Sequence, residues 1–280
     1  MRKVVVALGG LVAGLVLLTD CQLLWGDTGE GELPVLHPVG LQFAYSDAWA
    51  EPGFVRAHVD SPPGEETIYT RAGGELSSFC FHPGAPKLYF LSMNENTIWR
   101  SDYITGTWYE EFPVYQHQTY VRCVRFVHDE AGQHPDNPAD EWHLFFSEAT
   151  GAGGDGVIYR IVGRSVETYY TVDLDDVDGF WAGWFGFSPG GTLYLASGNR
   201  TGAGLYRVSD FGVQRVYQAG GAIAGFVFLS ESTLLYADWG QNVYFLDLEA
   251  GEAAPVFTHE EAEHLSDVDL LPGWWLGETG

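Results

Sequence analysis

The 280-residue chain is short of positive charge. Lys and Arg number 13 against 38 Asp and Glu, a formal net charge of −25. So acidic a surface repels polyphosphates, which argues against nucleic acid and anionic membrane surfaces as partners. Its plainer consequence is solubility, in a salty or calcium-containing medium if the chain works outside the cell. Cysteine is scarce too, at three residues. No Cys-x-x-Cys pair and no Cys/His zinc spacing occurs. Cys80 and Cys123 sit in the short apolar runs "SSFCFHP" and "VRCVRF", where buried inert thiols are expected ahead of a disulfide. No G-x-S-x-G elbow appears, and nothing marks a Ser–His–Asp group.

Long apolar runs are missing as well, with one exception. Arg2 and Lys3 precede an unbroken apolar stretch from Val4 to Leu18, which Thr19, Asp20 and Cys21 end abruptly. That stretch suits the core of an export signal and falls short of the roughly 18–20 residues of a bilayer span. Leu18-Thr19-Asp20-Cys21 has the outline of a bacterial lipobox, although Asp20 stands where a small residue is expected. Residues 1–21 are therefore read as a signal peptide or anchor, with Cys21 as lipid acceptor or the segment left uncleaved. Residues 22–32 form a short linker and 33–280 one domain. The expected address is periplasmic or cell-surface, with membrane association only through the N-terminus.

What the chain has in quantity is glycine, at 36, and aromatic residues, at 15%. They fall in a repeat. The clearest copies are "FCFHPGAPKLYFLSMNENTIWRSD" (79–102), "FGFSPGGTLYLASGNRTGAGLYRVSD" (185–210) and "FVFLSESTLLYADWGQNVYFLDLEAG" (226–251). A fourth, 124–163, is stretched by the acid- and Pro-rich insertion 129–142. A weaker copy, 35–60, opens the domain, and "VDLLPGWWLGETG" (268–280) is half a copy. Each begins with a short apolar strand ending at Phe81, Phe126, Phe187 or Phe228, with Leu36 and Leu270 as weaker equivalents. A Pro/Gly turn and three further alternating strands follow, the pattern of half-buried antiparallel strands. Four short strands recurring at about 40–45 residues define the blade of a β-propeller. The expected fold is thus all-β, with four-stranded antiparallel blades. Six blades with the last incomplete is the first expectation. Five, closed by mixing C-terminal with N-terminal strands, is the alternative.

The "F-x-P-G-x-L-Y" turn and the "I/L-Y/W-R" strand after it resemble the NHL and TolB-like six-bladed propellers, the superfamily that includes the sugar lactonases. The resemblance covers roughly residues 33–280. It implies a propeller, and by way of the lactonases a channel metal. At the positions matching two lactonase ligands this chain has Gly183 and Ala224, which cannot ligate.

The spelling G-x-G-x-x-G at Gly151–Gly156 invites a dinucleotide-binding reading. Such a loop needs a helix directly after it, whose N-terminus receives the pyrophosphate. "VIYRIVG" reads as a strand, so the glycines belong to a hairpin loop. "HEEAEH" (His259–His264) imitates a zinc motif with one residue too many. On a helix its two histidines would diverge, so an acidic inter-blade loop is expected.

In "VDLDDVDGFWAGWFGF", Asp175, Asp176 and Asp178 are the candidate calcium ligands. Val177 breaks the alternation of a calcium loop, which leaves a solvated loop as the plainer reading. No other cofactor is indicated. Trp181 and Trp184 follow, either as a platform for a sugar or cation or as inter-blade packing. Superposing the copies brings Asp47, Asn94, Glu148, Asn199, Asp238 and Glu278 to one face, after strand two of each unit. They cap their hairpins or form a ligand ring. The functional expectation is an extracytoplasmic binding propeller that recognises a protein or carbohydrate on one face through Trp181, Trp184, Asn94, Glu148, Asn199 and Asp238. A metal-assisted hydrolase or lyase acting on a sugar or lactone is the alternative.

Overall fold

The computed structural model describes residues 41–47, 53–60, 63–71, 74–92, 95–128, 142–148, 156–177, 183–197, 203–260 and 264–276. Cys21 and everything else before residue 41 lie outside them, as does the insertion from 129 to 141. In chain order the strands begin with β1 (Gln42–Asp47), β2 (Gly53–Asp60) and β3 (Pro63–Arg71). The second group is β4 (Ser78–Phe81), β5 (Lys87–Leu91), β6 (Thr97–Ile104), the two-residue β7 (Thr107–Trp108) and β8 (Phe112–Gln116). The third is β9 (Val121–His128), β10 (Trp142–Glu148), β11 (Gly156–Val162) and β12 (Ser165–Val172). Then come β13 (Trp184–Phe187), β14 (Leu193–Ser197), β15 (Gly204–Ser209) and β16 (Gly212–Gln218). β17 (Ile223–Phe228), β18 (Thr233–Asp238), β19 (Asn242–Asp247) and β20 (Glu252–Thr258) make the last full group, before β21 (Leu265–Leu270) and the single turn α1 (Gly273–Leu276).

Each group forms one antiparallel sheet, and β21 joins the first sheet in the order β21-β1-β2-β3. The first strands contact one another in sequence: β4 with β9, β9 with β13, β13 with β17, β17 with β21, and β21 with β4. The ring is closed, and the protein is a five-bladed β-propeller.

Of the two expected counts, five is observed and six is not. The reason is the origin of the first blade's inner strand. The terminal half copy does not start a sixth blade. Its strand pairs with β1, Leu270 opposite Phe43 and Leu265 opposite Asp47. Two incomplete copies thus make one blade, and the pairing covers the inner edge that β1 would otherwise expose.

The repeated "I/L-Y/W-R" string also acquires a structural meaning. In every blade the third strand carries a β-bulge against the fourth: between Val55 and Arg56, Ile98 and Trp99, Ile158 and Tyr159, Leu205 and Tyr206, and Val243 and Tyr244. In three of them the break falls between the aliphatic and aromatic residues of the string. A bulge raises local twist, which a radial blade needs towards its rim. Three-to-four hairpins turn tightly on left-handed glycines such as Gly163 (φ 60°) and Gly212 (φ 108°).

Apolar cores lie between neighbouring blades. Phe79, Phe90 and Trp275 pack with Ile68 and Tyr69 between the first two blades. Phe146 packs with Leu91 between the second and third. Gly156 opens the strand β11, so no helix follows the glycine-rich spelling. The dinucleotide reading therefore fails on structure as it did on sequence.

Candidate functional site

The first strands surround the hub and are largely buried, and two of them are interrupted by charge. "VRCVRFVH" places Arg125 in β9, and "LSDVDL" places Asp267 and Asp269 in β21. Residues two apart on a strand share a side, so both carboxylates of β21 turn the same way, towards the hub. There Asp267 is fully buried and Arg125 is 6% exposed. The pair is bidentate: Arg125 Nη1 donates to Asp267 Oδ2 at 2.7 Å, and Nη2 donates to Oδ1. Nη1 also reaches the carbonyls of Val124 (2.8 Å) and Phe79 (3.2 Å).

Asp267 accepts further bonds from the Ser78 hydroxyl (2.7 Å) and from the N–H groups of Phe79 (3.2 Å) and Val268 (2.8 Å). Ser78 Oγ in turn accepts from the Val124 N–H at 3.2 Å. A buried ion pair persists only when such bonds satisfy its remaining lone pairs and protons. The arrangement ties β4, β9 and β21 together at the axis. Glycine at 225 on β17 is required by the same packing: a Cβ there would lie 2.9 Å from the Asp267 Cα and overlap its carboxylate.

Beside this plug lies a cavity of about 470 Å³ at the end of the hub where strand one turns into strand two. All five inner strands wall it. Phe81, Phe126, Phe187 and Phe228 come from four of them, Leu270 from the fifth, and Pro83, Pro189 and Pro272 from the turns. Its polar side chains include Arg125, Asp269, Ser188 and the Cys80 thiol. The repeat's strand-ending phenylalanines are therefore the cavity's wall.

Asp269 lines this space. Its Oδ2 accepts the Phe81 N–H (3.0 Å) and its Oδ1 the Leu270 N–H (2.9 Å). Desolvation pushes its carboxyl up to about 6; Arg125 and those two N–H groups oppose the rise, and the Asp267 charge adds to it. Burial likewise raises both thiols, Cys80 well above its usual range and Cys123 to about 11. Both cysteines are free and buried, as expected of inert thiols.

The raised carboxyl makes stability depend on pH. Between about pH 4 and 6 the folded chain holds a proton on Asp269 that the unfolded chain has lost. This contribution is therefore complete below about pH 4 and is lost as pH rises through about 6, on the order of 3 kcal/mol. Urea denaturation of the wild type and Asp269→Asn across this range should show the wild type losing ground to the variant as pH rises. Parallel curves would contradict the assignment.

The polar ring stands elsewhere. Asp47, Glu148 and Asp238 close the second strands and face the first residues of the inner strands, Leu265, Val121 and Ile223. They share one face, opposite the cavity's mouth. Asp238 accepts from the Asn242 N–H (2.9 Å) and side-chain amide (3.1 Å), capping its hairpin. Glu148 accepts from the Tyr159 hydroxyl (3.0 Å) and lies 3.0 Å from His117 Nε2. Burial works against its charge, but bonds from Thr119, His117 and Tyr159 outweigh it and hold the carboxyl below its usual range.

Trp184 opens β13 and is 5% exposed in the core, so packing accounts for it and it offers no open platform. Asp175 and Asp176 are exposed on a 3₁₀ turn whose start Asp173 caps, its Oδ1 accepting the Asp175 N–H at 3.0 Å. Among the described residues no three His, Cys, Asp or Glu side chains gather to hold a metal ion. Asn94, Asp178, Trp181, Asn199 and Glu278 lie outside the described residues. His259 packs on Tyr45 and Phe54, while His264 stacks on Trp239, so the two histidines of "HEEAEH" serve separate contacts.

No protein-family model matches the chain, and no curated protein matches its sequence. Solved structures do share the fold. A nidogen/laminin complex aligns with a TM-score of 0.50 at 12% identity, over 81% of this chain and 96% of that one. TolB from Acinetobacter baumannii aligns with a TM-score of 0.51 at 16% identity, over 80% of this chain and 54% of that one, about half its length. Likeness at this identity shows the β-propeller fold alone. Among the described residues no helix is long and apolar enough to cross a membrane.

Proposed function

We propose that the protein is an extracytoplasmic binding propeller, allied to the NHL-like and TolB-like group by its turn motif, and that it takes a small ligand in the hub cavity. The fold alone names no activity, because propellers serve many. The observation that carries the reading is the cavity itself. A space of about 470 Å³, apolar in its walls and holding a few convergent polar groups, has the size and chemistry of a small-molecule site. Export rests on the cationic start, the apolar stretch Val4–Leu18 and Cys21 as lipid acceptor. A protein or carbohydrate on the opposite face would meet Glu148 and Asp238 already engaged in the bonds given above, which favours the cavity. Gly183 and Ala224 supply no ligating side chain for a lactonase-type metal, so no observation favours the hydrolase.

A thermal-shift screen with small organic molecules tests this. Binders are expected to raise the melting temperature of the wild type and to lose that effect in Val227→Trp, whose indole fills the cavity from β17. Ligands that bind this variant unchanged would place the site elsewhere. A screen without any binder would remove the reading.

A further inference from the structure

Among the described residues of the hub, Asp269 is the carboxylate that the fold does not use for pairing. Arg125 commits both terminal nitrogens to Asp267 and to backbone carbonyls, and its Nε, which has no partner, is covered. One guanidinium thus faces two carboxylates, and the excess negative charge belongs to Asp269. The two N–H bonds it accepts leave it without a counter-ion of its own. The inner strands β13 and β17 bring no titratable side chain to the cavity, and β4 brings the neutral Cys80 thiol.

We propose that the hub cavity is a site for organic cations: an alkyl- or arylammonium head sits against Asp269, and its apolar body lies along the phenylalanine wall. This rests on the cavity being the binding site and adds the chemical class of what enters it. Three observations point the same way. The walls are phenylalanines from four blades, and aromatic rings attract cations, more strongly where water is excluded. An anion would meet the unpaired Asp269 and find Arg125 occupied. A net charge of −25 concentrates cations near the whole molecule.

The site also carries a pH signature. Binding needs the Asp269 carboxylate, whose titration near 6 is set by burial, by Arg125 on β9 and by Asp267 on its own strand. Affinity should therefore fall about tenfold between pH 7 and pH 5, and near pH 6 binding should release a proton into the buffer.

The test is titration calorimetry on the full chain at physiological salt, where diffuse attraction is screened. Choline is compared with its neutral isostere 3,3-dimethylbutanol, and benzyltrimethylammonium with phenylacetate. The ammonium probes are expected to bind at least about tenfold more tightly than the neutral or anionic ones, a gap of about 1.4 kcal/mol. Their affinity should drop at pH 5, and Asp269→Asn, which keeps an acceptor for the Phe81 N–H, should erase the preference. The pH dependence needs no variant, so a poorly folding Asp269→Asn would leave the test intact.

Neutral and cationic probes that bind alike, with no pH dependence and with loss in Val227→Trp, would overturn the cation assignment and leave the cavity as the site. Tighter binding of phenylacetate would overturn the assignment as well. Cation binding that survives both variants would mean adsorption to the acidic surface and would also overturn it. No heat from any probe would remove the cation site, and the screen above then decides the cavity.

Discussion

A chain ending at residue 263 is expected not to fold. Loss of β21 strips the first blade of its inner strand, leaves β1 as an open edge at the axis, and removes Asp267 from beside Arg125. Each consequence alone is serious. An unpaired inner edge is a template for association, and an orphaned buried guanidinium costs about 3–5 kcal/mol. Such a loss takes up much of the 5–15 kcal/mol that holds a typical domain together. The truncated chain should show no cooperative urea transition and should aggregate.

The same residues moved ahead of β1 should restore the fold. β21 runs antiparallel to β1, and its last residue, Leu270, lies opposite Phe43 near the start of β1. A circular permutant that begins at His264 and joins Leu276 to Leu41 through a flexible linker therefore rebuilds an inner hairpin of the kind β13 and β14 already form. Wild-type circular dichroism and a single urea transition are expected from it. Cooperative folding of the truncated chain would show that the ring closes without its last strand.

Why was the blade legible in the sequence when the count and the site were not? A blade is local: hairpin follows hairpin, so the repeat prints itself as "FSPGGTLY" and "LYRVSD", and the bulge position falls inside the repeated string. Closure is the opposite case. The pairing of Phe43 with Leu270 joins the two ends of the domain, and a half copy at each end reads equally as a defective sixth blade. The cavity was hidden for a related reason. Superposing the repeats finds what the copies share, such as the acids of the opposite face. The hub's charges and close approaches come from what they do not share: Arg125 in one inner strand, Asp267 and Asp269 in another, glycine at 186 and 225 in two of the other three. The available signal was charge inside an apolar run, "VRCVRF" and "LSDVDL", where an inner strand has no solvent to offer it. Trp184 read either as a platform or as inter-blade packing, and its burial in the core decides for packing.

The second large effect is expected at that ion pair. Asp267→Ala should destabilise the protein by about 3–5 kcal/mol, because Arg125 stays buried without its counter-ion while the Ser78 hydroxyl and the Phe79 N–H lose their acceptor. For domains of 150–250 residues each kcal/mol lowers the melting temperature by roughly 2–4 °C, so a fall of about 6–20 °C is expected. Arg125→Met should cost less, since Asp267 keeps three donors in Ser78, Phe79 and Val268. The double variant should be well more stable than the sum of the two losses implies. Each single change leaves one member of the pair buried without the other, whereas the double change removes both, and residues in direct contact couple by about 0.5–3 kcal/mol. Urea denaturation of all four proteins at pH 7 measures the coupling directly. Additive losses would mean that Arg125 and Asp267 act through separate contacts, and the plug at the axis would then be two unrelated side chains that happen to meet.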